Sequence, residues 1–153
     1  CGPVTNSIGN EAKVAVEYHD LDGLEQFAYR YTWAHNGQEF RNVKALALFC
    51  TMIRKSVIQQ CGMLDDGYKV GMFEDDDYSE AVRTAGWGLA IVDDAFIHHQ
   101  DGATFKKLDK KKYEAVFKVN LKRFEEKWNK KWEMHSYRPG MTTEQNKDCL
   151  LEV

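Results

Sequence analysis

The chain has 153 residues, a formal net charge of −3 at pH 7 and four cysteines. That length suits a single domain with its own hydrophobic core. The mild negative charge gives no reason to expect a nucleic-acid partner, and the apolar runs are too short to cross a bilayer. Because the cysteines are scattered without a CxxC pair, we expect free thiols and a cytoplasmic, reducing compartment.

The first forty residues contain one clear helical pattern. Residues 1–10 carry Gly, Pro and Asn signals and predict a strand end followed by a loop. Residues 20–34 place apolar side chains on one helical face, and either Asp20 or Asp22 is suited to cap the start of that helix.

The next forty residues combine an apolar run with turn signals. Residues 43–55 are apolar and rich in strand-forming types, which predicts a buried strand. A short helix is expected to begin at Ser56 and end at Gly62. The loop that follows leads to a second helix, predicted over residues 77–85.

The last part of the chain predicts one strand and one long helix. Residues 87–99 are expected to form a strand, at about 88–92, and a short extension, with a turn at Asp93-Asp94 between them. Residues 107–130 carry an amphipathic pattern and predict the long helix. Since helices alternate with strands, the expected fold class is α/β, with one domain at 1–135 and a polar, flexible tail at 136–153.

Four acidic residues, Glu74 to Asp77, stand next to each other just before a predicted helix. Carboxylates at a helix start accept hydrogen bonds from free N–H groups and oppose the helix dipole, so capping alone is one interpretation. One or two acids would serve that purpose, however, and four repel each other. The other interpretation is therefore a site that meets a cation or a proton donor.

Two histidines follow the predicted strand. If the chain turns back through that strand, His98 returns near the acidic residues, and a carboxylate with an imidazole can bind a divalent ion or act as an acid/base pair. The acidic run lacks the Gly and Glu that an EF-hand calcium loop requires, so we exclude that motif.

The stretch FEDDDYSEAVRTAGWGLAIVDDAFIHH, residues 73–99, resembles the second half of family 2 glycosyltransferases, which have the GT-A fold. The likeness rests on an acidic ED-x-D group, a helix that ends in Ala-Gly-aromatic, a strand and a His. The run LFCTMIRKSVIQQCGMLDDGYKVG before it, and the segment GPVTNSIGNE, resemble one bacterial branch of the same family. In total the resemblance covers residues 2 to about 132.

The resemblance implies inverting transfer of a sugar from a nucleotide-sugar donor to a carbohydrate or lipid-linked acceptor. It assigns Asp75 as the general base that takes the proton of the acceptor hydroxyl. It also implies Mn²⁺ or Mg²⁺ at the leaving diphosphate, with His98 as one ligand. The spacing from Asp75 to His98 is one residue shorter than the family pattern, so His99 stays a candidate.

Five further residues are candidates for the acceptor side, each with a plainer alternative. Glu74 fits acceptor binding or orientation of the loop, and Arg54 fits a phosphate, the acceptor or an ion pair. Trp87 fits stacking on a sugar or a place in the core. Asp65 and Asp66 fit contacts with acceptor hydroxyls or simple turn chemistry.

One departure from the family pattern affects the expected activity. The family's nucleotide-binding half, with its D-x-D metal motif, has no counterpart before Cys1, so we expect a C-terminal half that is inactive by itself. A non-catalytic module that binds a carbohydrate or a cation is the alternative, and a small metal-dependent hydrolase is disfavoured. The basic stripe 106–112 and the segment 128–132 fit either peripheral contact with the inner membrane face or a solvated surface.

Overall fold

A computed structural model of the chain describes residues 1–41, 43–100, 109–139 and 141. These residues form three strands and four helices, in the chain order β1 (Gly2–Thr5), α1 (Leu21–Ala34), β2 (Glu39–Arg41), α2 (Lys55–Cys61), α3 (Glu74–Thr84), β3 (Ala90–Ile97) and α4 (Lys110–Trp128). The predicted α/β class is therefore confirmed. In this part of the chain, no helix combines the length and the apolar character needed to cross a membrane.

The sheet is mixed, with β3 in its centre. β1 pairs with β3 in parallel, and β2 pairs with β3 in the antiparallel sense. The register shifts between Pro3 and Val4, which pair with Val92 and Phe96, so residues 93–95 bulge out of the ladder with β1. The turn predicted at Asp93-Asp94 is wrong, because both residues lie inside β3 at this irregularity.

The main core lies between the sheet and helices α2 and α3. Its buried members come from strands, helices and connecting segments alike: Val4, Ala12, Val14, Val43, Leu46, Val57, Tyr78, Val82, Leu89 and Ile91. Helix α1 packs on this core through Phe27 and Tyr31. Its start is capped as predicted, since Asp20 accepts a hydrogen bond from the Gly23 N–H at 2.7 Å.

The strand predicted over residues 43–55 is wrong. Val43, Ala45 and Leu46 are buried, but no residue from 43 to 54 belongs to a strand, and side chains hydrogen-bond the backbone of Ala45 and Leu46. The Leu46 N–H donates to the Ser79 hydroxyl at 3.0 Å, and the Asn10 side chain donates to the Ala45 carbonyl at 3.3 Å. Polar side chains thus provide hydrogen-bond partners for backbone groups of a buried segment that is not part of the sheet.

A second core cluster joins α4 to the loop before α3. Tyr68, Phe73 and Phe124 are its buried members, and the aromatic and apolar residues packed against it are Met72, Phe117, Leu121, Trp128 and Trp132. The apolar stripe predicted for the long helix is confirmed at positions 117, 121, 124 and 128. Helix α4 begins at Lys110, and residues 107 and 108 of the prediction lie outside the described residues.

Residues 129–139, which we call the C-terminal strap, run from the end of α4 back across the molecule. Asn129 ends α4 in the left-handed conformation, with φ of 48°. Further along, His135 reaches Asp76 and Arg138 reaches Asp93 and the backbone of Glu11. The strap therefore ties α3, β3 and the segment after β1 together. The polar tail predicted from position 136 lies beyond the described residues from position 142 onward.

Candidate active site

The acidic helix α3 begins after a turn with unusual backbone geometry. Val70, Gly71 and Phe73 all have positive φ, at 59°, 69° and 72°. For a β-branched or bulky residue this conformation carries strain and persists only where the surroundings enforce it. Phe73, which is 4% exposed, is anchored in the second core cluster and directly precedes Glu74.

Asn120 of α4 holds this turn in place. Its side chain is fully buried, accepts from the Lys69 N–H at 3.1 Å and donates to the carbonyls of Lys69 and Met72 at 2.9 and 3.0 Å. Each group of the buried amide is thus hydrogen-bonded to backbone. The direction in which α3 starts is consequently fixed from α4.

Helix α3 begins at Glu74, three residues before the predicted start, and so all four acids belong to its first turn. Asp77 points to the protein interior. Its carboxylate accepts hydrogen bonds from Tyr68 Oη at 3.0 Å, Trp128 Nε1 at 2.9 Å and Lys127 Nζ at 2.7 Å. Asp77 is therefore a structural anchor between α3 and α4.

Asp75 occupies a different environment from Asp77. Its Oδ1 accepts a hydrogen bond from the Asp76 N–H at 2.9 Å, which orients the carboxylate. Burial raises the pKa of Asp75 to about 6, and the neighbouring charges of Asp76 and Glu74 act in the same direction. A carboxylate with this pKa is ionised at neutral pH, yet accepts a proton more readily than an ordinary aspartate.

Asp76 faces the C-terminal strap. Its Oδ1 lies 2.9 Å from His135 Nε2 and 3.0 Å from Trp132 Nε1, and the side chains of Asp76 and His135 are 15% and 16% exposed. The hydrogen bond to Asp76 raises the pKa of His135, against the opposing effect of burial. The charge of His135 in turn lowers the pKa of Asp75.

These groups line a cavity of about 350 Å³, which we call the acidic cavity. Its wall combines acidic, aromatic and backbone surfaces, contributed by Ile8, Gly9, Asn10, Ala45, Ala47, Gly71, Met72, Phe73, Glu74, Asp75, Asp76, Tyr113, Phe117, Trp132 and His135. Phe73, Phe117 and Trp132 pack edge to face, with centroids 5.1 to 5.9 Å apart. The volume lies at the lower end of the roughly 300–1,000 Å³ typical of small-molecule sites.

The two predicted metal ligands lie elsewhere, at the end of β3. His98 Nδ1 is 2.6 Å from Tyr18 Oη, and His98 Nε2 is 3.2 Å from Gln100 Oε1. His99 Nδ1 is 2.9 Å from the Ser7 carbonyl, and its ring stacks on Phe49 at 4.6 Å. Within the described residues, the wall of the acidic cavity contains neither of them.

A metal centre is not assembled by the described part of the chain. There, no three His, Cys, Asp or Glu side chains are grouped so that they could hold a metal ion. The need for Mn²⁺ or Mg²⁺ stays a prediction.

Two predicted acceptor residues lie on the loop that faces α4. Asp65 accepts from the guanidinium of Arg123, at 2.7 Å for the shortest contact, and from Lys127 Nζ at 3.1 Å. These contacts, with the Gly67 N–H, hold the pKa of Asp65 well below its usual range. The geometry is that of a loop-to-helix ion pair, whereas Asp66 is exposed.

Arg54 and Trp87 line a different cavity, on the β2 side of the molecule. This cavity of about 510 Å³ is mainly apolar. Arg54 precedes the first turn of α2, and Trp87 Nε1 donates to Gln60 Oε1 at 2.8 Å. Of the predicted site residues, the acidic cavity therefore brings together Glu74 and Asp75 only.

Sequence reasoning missed His135, Trp132 and Asn120. His135 stands in a polar segment with no local pattern, and its partner Asp76 is far away in sequence. Trp132 was noticed only as an aromatic residue next to lysines. A buried Asn in the middle of an amphipathic helix is a recognisable signal, because Asn lowers helix propensity and needs several partners.

Comparison of the chain with protein-family models, curated proteins and solved structures gives no match. The functional interpretation consequently rests on the residues and their geometry.

Proposed function

We propose that this chain forms the acceptor-binding, catalytic half of an inverting, family 2-like glycosyltransferase with a GT-A-type fold, and that Asp75 is the general base. The observation that carries the proposal is the oriented carboxylate of Asp75 in a cavity, with a pKa raised to about 6 by burial and by Asp76 and Glu74. The mixed sheet and the order of α3, β3 and His98 fit the same fold.

The reaction would proceed by direct displacement. The acceptor oxygen attacks the anomeric carbon of the donor while its proton moves to the Asp75 carboxylate. The bond from that carbon to the nucleoside diphosphate breaks, and its electron pair leaves with the diphosphate. Because Asp75 must be ionised to accept the proton, the rate is expected to fall as the pH drops through about 6.

Mutation of Asp75 tests the base assignment. In the full gene product, Asp75→Asn should lower kcat for transfer roughly 10²–10⁴-fold, which is the usual contribution of a general base. The assay combines a panel of nucleotide-sugars with acceptor glycosides and follows the released nucleoside diphosphate. Nucleotide affinity should stay unchanged, because the carboxylate acts on the acceptor.

Asp22→Asn is the matched control, since Asp22 is also an acid in the first turn of a helix and is exposed. Equal turnover by the wild type and Asp75→Asn would remove Asp75 from the base role. Carbohydrate binding without transfer from any donor would instead favour a non-catalytic carbohydrate-binding module.

A further inference from the structure

Buried polar atoms without a partner gather around the acidic cavity. Among the described residues, the buried side-chain nitrogen and oxygen atoms that lack a hydrogen bond are Glu11 Oε2, Glu74 Oε2 and His135 Nδ1. Glu74 and His135 line the cavity, and Glu11, only 8% exposed, acts electrostatically on His135. Since folded proteins satisfy nearly all such atoms, this concentration in one place indicates that a ligand completes the set.

The unpartnered atoms of the two lining residues, Glu74 and His135, need different hydrogen-bond partners. Glu74 Oε2 is a carboxylate oxygen and needs a hydrogen-bond donor. His135 Nε2 lies 2.9 Å from Asp76 Oδ1, which favours the imidazolium form, and its Nδ1–H then needs an acceptor. A hydroxyl group can donate to the first and accept from the second. A carboxylate cannot donate to Glu74, and an ammonium group cannot accept from His135.

The charge and the walls of the cavity further restrict the class of ligand that fits. Glu74, Asp75 and Asp76 contribute three carboxylates against at most one positive charge, on His135, so an anionic ligand meets net repulsion. The aromatic cluster of Phe73, Phe117 and Trp132 supplies apolar surface for the C–H face of a ring. A saturated ring with several hydroxyl groups satisfies both surfaces.

We propose that the acidic cavity binds an uncharged, hydroxyl-rich pyranose ring and rejects sugars that carry a carboxylate. The inference rests on the proposed function and deepens it, because this ring would be the acceptor. The pyranose donates a hydroxyl hydrogen bond to Glu74, accepts one from His135 and lies against the aromatic cluster. A second hydroxyl of the same ring then faces Asp75.

Binding of two matched sugars tests the proposal without any mutation. Methyl β-D-glucopyranoside and its 6-carboxylate analogue, methyl β-D-glucopyranosiduronate, are titrated into the 153-residue chain at pH 7.5 and followed by saturation-transfer NMR. The glucoside should bind at least about tenfold more tightly, since like-charge contact opposes the uronate. Equal affinity for the two sugars, or binding of neither, would overturn the proposal.

The Glu74→Gln variant tests whether the preference for glucoside over uronate arises in the acidic cavity. A glutamine at this position removes one negative charge, so uronate binding should rise about tenfold relative to glucoside binding. Glu126→Gln is the control, because Glu126 is an exposed glutamate on α4 that pairs only with Lys122 among the described residues. A ratio that changes equally in both variants would place the selectivity outside the cavity and overturn the assignment.

The failures of the two proposals are distinguishable. Selective glucoside binding without transfer from any nucleotide-sugar would sink the proposed transferase function and leave the cavity assignment standing. Equal rates of sugar transfer to the uronate and the glucoside would support the transferase function and overturn the proposal that the cavity selects an uncharged ring.

Discussion

Three consecutive aspartates of α3 have three different environments. Successive side chains on a helix point about 100° apart, so neighbours in sequence face different parts of the protein. Asp75 faces the acidic cavity, Asp76 meets the strap at His135, and Asp77 is buried against α4. The acidic group is visible in the sequence, and the family resemblance predicts a role for Asp75, but the roles of its neighbours depend on packing partners that lie elsewhere in the chain.

The stability of two variants should separate a site residue from a structural one. The pKa of Asp75 is about 6 in the folded state against an ordinary 3.8, so its ionisation lowers stability progressively between these two pH values, and the cost is complete above about 6. Asp75→Asn should therefore stabilise the protein by roughly 1–3 kcal/mol at pH 7.5, and this gain should shrink as the pH falls through about 6. Urea denaturation at pH 7.5 and 5 measures it.

Asp77→Asn provides the opposite case on the same helix. It loses the ion pair with Lys127, and its remaining bonds to Tyr68 and Trp128 are no longer charge-assisted. We expect a loss of roughly 1–3 kcal/mol at pH 7.5. If Asp75→Asn proved the more destabilising of the two, the assignment of Asp75 to a site and of Asp77 to the structure would be wrong.

At the level of elements, local signals predicted helices better than they predicted the buried segment. Helix α1 was readable because its cap, Asp20, and its apolar face lie within the same fifteen residues or so. The strand predicted over residues 43–55 was wrong, because an apolar run fits a strand or any other buried segment equally well. The hydrogen-bond partners decide the conformation, and they are far away in sequence: Asn10 for Ala45, Ser79 for Leu46 and the backbone of Cys1 for Met52.

Asn120 connects helix α4 to the turn that precedes α3. Asn120→Ala leaves the N–H and carbonyl of Lys69 and the carbonyl of Met72 without their buried partner. We expect a loss of about 2–4 kcal/mol in unfolding free energy, with release of the strained backbone at Val70 and Phe73. Thermal and urea denaturation measure the loss.

A matched control for this prediction is Asn36→Ala, in the exposed turn after α1, where the change should stay within about 0.5 kcal/mol. Because the turn sets the position of Asp75, acceptor binding should also weaken in Asn120→Ala and not in the control. Similar stability for the two variants would show that Asn120 does not hold the turn.

On the scale of the whole molecule, the C-terminal strap joins parts that are distant in sequence. Its side chains reach Lys44, Asp76, Asp93 and the carbonyl of Glu11. None of these contacts leaves a periodic pattern, and a polar segment after a long helix reads as a loose tail. The acidic cavity was therefore predictable only on the α3 side, since His135 and Trp132 arrive through tertiary structure.

Arg138 attaches the strap through three hydrogen bonds, and its replacement tests that role. Its guanidinium donates two bonds to the Asp93 carboxylate, at 2.5 and 3.0 Å, and Nε donates to the Glu11 carbonyl at 2.6 Å. The Asp93 and Arg138 side chains are only 9% and 20% exposed. Lysine keeps the charge but lacks the planar fork, so Arg138→Lys should cost roughly 2–3 kcal/mol.

The control is Arg41→Lys, which alters an exposed pair with Glu39 and should cost less than about 0.5 kcal/mol. Hydrogen exchange shows whether the loss of stability is confined to the surroundings of Arg138 or extends to α3. Amides of the strap, and of α3 near Asp76, should exchange faster in Arg138→Lys, because Arg138 and His135 fasten the same segment. Unchanged exchange at Asp76, together with lost stability, would mean that Arg138 supports β3 alone and that the acidic cavity closes without it.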